Sequence, residues 1–506
     1  MKRKCGVLLP VASLPSKYGI GCFSKEAYDF VDFLAKGGQS YWQILPLGPT
    51  GYGDSPYQSF STFAGNPYFI DPEELIRAGY ITAKEADSVN FGTDPEHIWY
   101  KEVYNGRFPL LRKAFENSPF ALNVKAPWDG DAYDQDRTDF AQFIEDNKAW
   151  LLDYALYSAV KNKFKGRSYI EWDDDIRLRR PAAMKRYTKE LAEEIRFYEF
   201  QQFLFQRQWF ALKDYANQKG IEIIGDIPIY VAFDSADTWS HPELFCLDSK
   251  GYPTVVAGCP PDGFSATGQL WGNPIYRWDY HKETGFAWWI ERIGHCFRLY
   301  DVVRIDHFRG FDEYYAIPYG EPTAEHGEWL PGPGYELFAA IRRALGPKKI
   351  IAEDLGYLTK SVIRLVKKTG YPGMKVLQFA FDSREASDYL PHNYTHNCVV
   401  YTGTHDNETM RGWYEHVNRR DRLFAKKYAA VRSTKNASWD FIRTAMMSVA
   451  DTCIIPMQDY LNLGDEARIN TPSTLGGNWI WRMAPGVCTD ELAAKIYDMA
   501  HTYRRL

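Results

Sequence analysis

Eight short runs of apolar and β-branched residues punctuate the chain, at 6–14, 40–47, 221–231, 302–308, 349–355, 374–381, 398–403 and 452–460. Each ends in Gly, Pro or a charged residue, and most lead into a stretch with helical period. Runs such as IEIIGDIPIYV and KKIIAEDL are almost continuously apolar, the pattern of parallel strands covered on both faces. The stretch YELFAAIRRAL at 335–345 repeats its apolar positions every three or four residues, then meets Gly346 and Pro347, which stop a helix. Eight such units predict an α/β fold, a (β/α)8 TIM barrel, over an open doubly wound sheet.

The spacing of the runs predicts one barrel over residues 1–506 with two interruptions. Between the second and third runs, about 48–220, lies far more chain than one crossover needs. Residues 138–164 carry apolar side chains at helical spacing, so this insertion reads as a largely helical subdomain. A second segment, about 234–278, is rich in Gly, Pro, Asp and aromatics. It leaves the third strand at the end where barrels build their sites, which marks it as an active-site loop insertion.

Composition narrows the function. The 506 residues are 45% hydrophobic and 25% charged, as in ordinary globular proteins, and no apolar stretch reaches the length of a membrane span. Net charge is −5, with Lys and Arg dispersed, which argues against nucleic acid as a partner. Aromatics make up 16%, and their faces suit sugar rings as well as a large core. The eight cysteines show neither C-x-x-C nor zinc-type spacing, which points to thiols in a reducing cytoplasm. Pro10 and Pro15 interrupt the apolar run after the basic N-terminus, so it reads as a first strand and not as a signal peptide. No phosphate cradle or metal-binding His motif follows any strand; no cofactor and no metal is expected.

Candidate chemistry sits at the ends of the apolar runs. Asp226 in GDIP, Asp306 in RIDHF, Glu353 in AEDLG and Asp406 in GTHDN would bring carboxylates from four strands to one barrel mouth. Arg304 and Asp306, two apart on a strand, project to the same side, so the guanidinium keeps Asp306 ionised. Glu353 would need a raised pKa to act as an acid. An ionised carboxylate and a protonated one suit cleavage of a glycosidic bond, with Asp406 stabilising the oxocarbenium-like transition state. His405 and Asn407 flank Asp406 within reach of sugar hydroxyls. His307 projects the other way on an ideal strand.

At these residues the sequence resembles the amylomaltases, the 4-α-glucanotransferases related to α-amylases. The resemblance covers nearly the whole chain and rests on long strings: SPYQSFSTFAGNPYFID, GDIPIYVAFDSADTW, TVVAGCPPDGFSATGQLWGNPIY, VVRIDHFRGF, IIAEDLG, YTGTHDN and NTPSTLGGNWIWR. It implies a retaining enzyme with Asp306 as nucleophile, Glu353 as acid/base and Asp406 as transition-state stabiliser. It further implies substrate contacts from Tyr57, Asp226, Arg304 and His405, with Trp271 on a loop over the glucan and Asn478 on the loop opposite. Gly263 departs from the resemblance, standing where related sequences carry an aromatic. The first strand lies almost at the start of the chain, with no large carbohydrate-binding extension before it, so short maltooligosaccharides are the expected substrates. Transfer and α-amylase-type hydrolysis share the glycosyl-enzyme intermediate, and the long strings favour transfer. A silent maltodextrin-binding protein would lack a key carboxylate, and all three are present.

Overall fold

The computed structural model describes residues 3–51, 53–124, 131–261, 265–356 and 358–506; Gly263 lies outside them. Eight parallel strands form one sheet: β1 (Lys4–Leu8), β2 (Tyr41–Gln43), β3 (Glu222–Ile227), β4 (Val302–Ile305), β5 (Ile350–Ala352), β6 (Gly373–Val376), β7 (Cys398–Tyr401) and β8 (Thr452–Pro456). They follow one another in chain order, and β8 pairs with β1 in register from Lys4↔Thr452 to Leu8↔Pro456. Between β5 and β6 the ring closes through a hydrogen bond from Ala352 N to Pro372 O of 2.9 Å. The fold is a (β/α)8 barrel.

Alternation along each strand sorts the apolar side chains into two cores. Leu8, Ile224, Val302, Ile351, Met374, Val399, Tyr401 and Ile454 pack inside the barrel. Their neighbours, such as Val7, Ile223, Val303, Ile350 and Val400, face outward into the layer under the helices. Each apolar run outlasts its strand because burial continues past the ladder. Val11–Ser13 and Leu377–Ala380 are 3₁₀ turns, the second buried except for Phe379, and Met457–Tyr460 is a buried helical turn.

Between β2 and β3 the chain forms several helices, the longest being Asp131–Lys163 and Ala192–Gln218. Aromatic side chains join them: Phe140 and Phe203 have ring centroids 5.2 Å apart. Gly220, at φ 81°, ends the second helix and turns the chain into β3.

The segment read as an irregular loop contains regular structure. Val255–Cys259 and Gln269–Pro274 pair antiparallel, and with Glu313–Pro318 and Glu328–Pro331 they form a four-stranded sheet. Local periodicity misses it because Val255–Cys259 takes one of its partners from beyond β4. Gly258 is required there, since a Cβ would fall 2.2 Å from Gln269 O and 2.6 Å from Ile317 Cδ1. Among the described residues no helix is long and apolar enough to cross a membrane, and none of the eight cysteines is in a disulfide.

Candidate active site

Inward-facing positions at the C-terminal ends of the strands switch from aliphatic to charged. On β3, Asp226 follows the inward Ile224; on β4, Arg304 follows Val302; beyond β5, Glu353 follows Ile351. Asp226 and Arg304 are register partners on adjacent strands. The ladder runs on past the strand ends through Asp306 N to Ile227 O at 3.0 Å and Glu353 N to Ile305 O at 3.1 Å, so the two carboxylates rise beside each other. They line a cavity of about 810 Å³ at the barrel mouth.

Arg304, buried in the barrel, organises the floor. Its Nη1 donates to both oxygens of Asp226, at 2.8 and 2.7 Å, and its Nη2 lies 3.0 Å from Asp306 Oδ1. The Asp226 side chain is wholly buried, whereas Asp306 leaves 31% of its side chain exposed toward the cavity. Burial raises the Asp226 pKa and the Arg304 contact opposes that rise. One guanidinium therefore anchors a wholly buried carboxylate behind and a partly exposed one in front.

Glu353 has a different environment. Burial, reinforced by the Asp306 charge and opposed by Arg304, raises its pKa to about 7. Two backbone donors hold it in place: His307 N to Oε2 at 2.7 Å and Leu355 N to Oε1 at 2.9 Å. Its contact with solvent is through the cavity, so desolvation still governs it.

Asp406 lies in the turn after β7. Asn407 staples that turn, its Oδ1 accepting from Thr404 N at 2.8 Å and Thr404 Oγ1 at 2.9 Å, and the residue lines the cavity. Asn470 Nδ2 donates to Asp406 Oδ1 at 2.7 Å, and Arg468 Nη2 donates to Asp406 O at 2.8 Å. His405 stacks on Tyr57, with ring centroids 5.1 Å apart and planes at 20°, and Tyr57 Oη donates to Asp226 Oδ2 at 2.8 Å.

The structure thus brings Asp306, Glu353, Asp406, Arg304, Tyr57, His405 and Trp271 to one cavity. Asp226 stands behind it, holding Arg304 and Tyr57. Asn478 is not brought there: its Oδ1 accepts from Thr471 N at 2.9 Å and its Nδ2 donates to Thr474, holding its own loop together. Its neighbour Trp479 lines the cavity instead, with its ring 5.9 Å from Tyr57. Asn470, Trp479, Tyr230 and Phe379 were not singled out by sequence reasoning. Asn470 and Trp479 lie inside the NTPSTLGGNW string and Tyr230 inside GDIPIYVAFDSADTW, and those strings offered the signal.

The hydrogen bond from Asn470 to the Asp406 side chain is of a kind worth about 1.5–3 kcal/mol when its acceptor carries charge. Asn470→Ala is expected to lower kcat by about 10- to 100-fold with little change in KM, read from initial rates. A raised KM at unchanged kcat would show that Asn470 binds substrate instead.

Outside the cavity, the ligand atoms of Glu408, His416 and Asp465 lie within 4.8 Å of one another. His416 Nδ1 is 2.9 Å from Asp465 Oδ2 and 3.4 Å from Glu408 Oε1. The carboxylates raise the His416 pKa, so the three side chains satisfy one another as an ion-paired bridge.

Comparison with known proteins agrees along the whole chain. The family model described as 4-alpha-glucanotransferase matches residues 9–489. A 4-alpha-glucanotransferase of Clostridium butyricum is 51% identical, covering 98% of this chain and 99% of that one. One from Streptococcus pneumoniae is 48% identical over 100% of this chain and 98% of that one. Among solved structures, the amylomaltase from Streptococcus agalactiae in complex with acarbose superposes with a TM-score of 0.95 at 43% identity, covering both chains fully.

Proposed function

The chain belongs to the 4-alpha-glucanotransferase family, and from that premise we propose that Asp306, Glu353 and Asp406 carry its reaction. The activity is transfer of an α-1,4-linked glucan segment from a donor maltooligosaccharide to the 4-hydroxyl of an acceptor glucose or glucan. Asp306 attacks the anomeric carbon while protonated Glu353 gives its proton to the leaving glycosidic oxygen, leaving the segment on Asp306 as a glycosyl ester. The acceptor hydroxyl then gives its proton to the Glu353 carboxylate and attacks the anomeric carbon, breaking its bond to Asp306 and regenerating both groups. Asp406 faces the positive charge that develops on the ring in each step.

The observation that carries this assignment is the contrast between two neighbouring carboxyls. Asp306 lies against a fixed guanidinium, and Glu353 is held near neutrality by burial and by Asp306. Tyr57, Trp271, Arg304 and His405 complete the glucan site, with Asp226 as the anchor of Arg304. A cytoplasmic location is supported by the absence of disulfides among eight cysteines.

Incubation with maltotriose alone tests the activity. A ladder of longer oligomers together with glucose is expected, and reducing ends growing without longer products would refute transfer. Acarbose, bound by the relative from Streptococcus agalactiae, is expected to compete with maltotriose.

Because the first step needs Glu353 protonated, kcat/KM is expected to fall as pH rises through about 7. The raised pKa also costs stability. The unfolded chain releases this proton at a lower pH than the folded one, so stability attributable to Glu353 declines as pH rises toward about 7 and stays low above it. Glu353→Gln is therefore expected to be inactive and yet more stable than wild type at pH 8, by on the order of 1–3 kcal/mol. Denaturant midpoints at pH 5 and pH 8 measure this; an equal gain at both would refute the titration as its source.

A further inference from the structure

We propose that His307 is a positioning residue for Glu353 and acts through its left-handed backbone instead of its ring chemistry. The inference rests on the reading of Glu353 as acid/base.

In a regular parallel ladder, the carbonyl of Glu353 would accept from the N–H of residue 307. Here Phe308 N takes that carbonyl, at 3.1 Å. The one-residue slip comes from His307 itself, which sits at φ 48° and ψ 50°, a conformation uncommon for a residue with a Cβ. The displaced N–H turns to Glu353 Oε2 at 2.7 Å. A strained turn immediately after Asp306 thus converts a sheet hydrogen bond into a donor for the neighbouring carboxylate.

The ring packs against aromatic neighbours at the cavity wall. It meets the edge of Trp271 with centroids 4.9 Å apart and planes at 87°, and lies 6.4 Å from the ring of Tyr230. Its Nε2 is buried and finds no hydrogen-bond partner among the described residues, and burial lowers its pKa to about 4, leaving a neutral imidazole. The N–H favours the ionised form of Glu353, against burial and Asp306. That balance leaves one group able to give a proton in the first half-reaction and to accept one in the second.

The test separates backbone from ring. Asn tolerates the left-handed region, whereas a β-branched Val does not. In maltotriose disproportionation, His307→Val is expected to move the alkaline limb of kcat/KM upward by about one to two pH units and to lower kcat at least about tenfold. His307→Asn is expected to keep the limb within a few tenths of a unit. Should the Val variant fail to fold, His307→Ala reads the same shift at a smaller conformational cost. An unmoved limb in Val and Ala overturns the proposal, and so does an Asn variant shifted as far as Val, since that assigns the effect to the ring. Glu353→Gln in the same assay keeps the two readings apart. If it still transfers, the acid/base assignment itself is wrong and this inference falls with it. If it is inactive while the His307→Val limb stays put, the role of His307 alone is refuted.

Discussion

Asp306→Ala is expected to reduce glucan transfer by on the order of 10⁴-fold or more, since among the described residues no other group in the cavity lies against Arg304 to form the glycosyl ester. The fold should persist, because Arg304 keeps both contacts to the buried Asp226. Removing Asp306 also removes the charge that helps raise Glu353, so the pKa of Glu353 falls in the variant. A chemical rescue identifies the missing group. With an α-maltosyl fluoride donor, azide entering the face vacated by Asp306 should give the β-glycosyl azide. An α-azide, or wild-type-like oligomer production, would refute the nucleophile assignment. Loss of Glu353 is expected to act differently, with its largest effect on donors whose leaving group needs a proton.

Arg304→Met should be the most destabilising single change at the site. It leaves Asp226 wholly buried with Tyr57 as its remaining side-chain donor, and breaking a buried pair from one side costs about 3–5 kcal/mol. The sign of its pH dependence follows from the orphaned carboxyl. Without the guanidinium the Asp226 pKa in the folded state climbs further, so the deficit should be smaller at pH 5, nearer to protonation of Asp226, and larger at pH 8. Denaturant midpoints at the two pH values measure it, and a deficit independent of pH would show that packing, not charge, is lost. Pairing Arg304→Met with Asp226→Asn should restore stability without restoring transfer, because Asp306 still lacks its partner. Arg304→Lys is not conservative here, since one ammonium cannot reproduce a fork that meets two carboxylates at once.

The site was legible where one residue type at one position suffices. Asp306 and Glu353 each follow an apolar run, and strand alternation places Arg304 on the same side as Asp306 without knowledge of any neighbour. His307 was assigned the opposite side by that same rule. It lines the cavity because its φ of 48° breaks the alternation. Asn478 has a residue type suited to sugar hydroxyls, but its amide is spent on hydrogen bonds within its own loop, whereas Asn407 engages its turn through Oδ1 and still lines the cavity. Asn470 and Trp479, which reach Asp406 and Tyr57, carry no local pattern that distinguishes them from loop residues.

The sequence by itself determined the barrel, the order of its strands and the strand ends that bear acids, because burial on two faces and alternation are written in consecutive residues. The tertiary structure alone decided the surroundings of each acid. Asp226 and Arg304 are 78 residues apart, His307 and Glu353 46, and Asp406 and Asn470 64. Whether a carboxylate is ionised, raised toward neutrality or buried as an anchor depends on those partners and on the water they exclude. That information resides in distances across the barrel mouth, not in the spacing of residues along the chain.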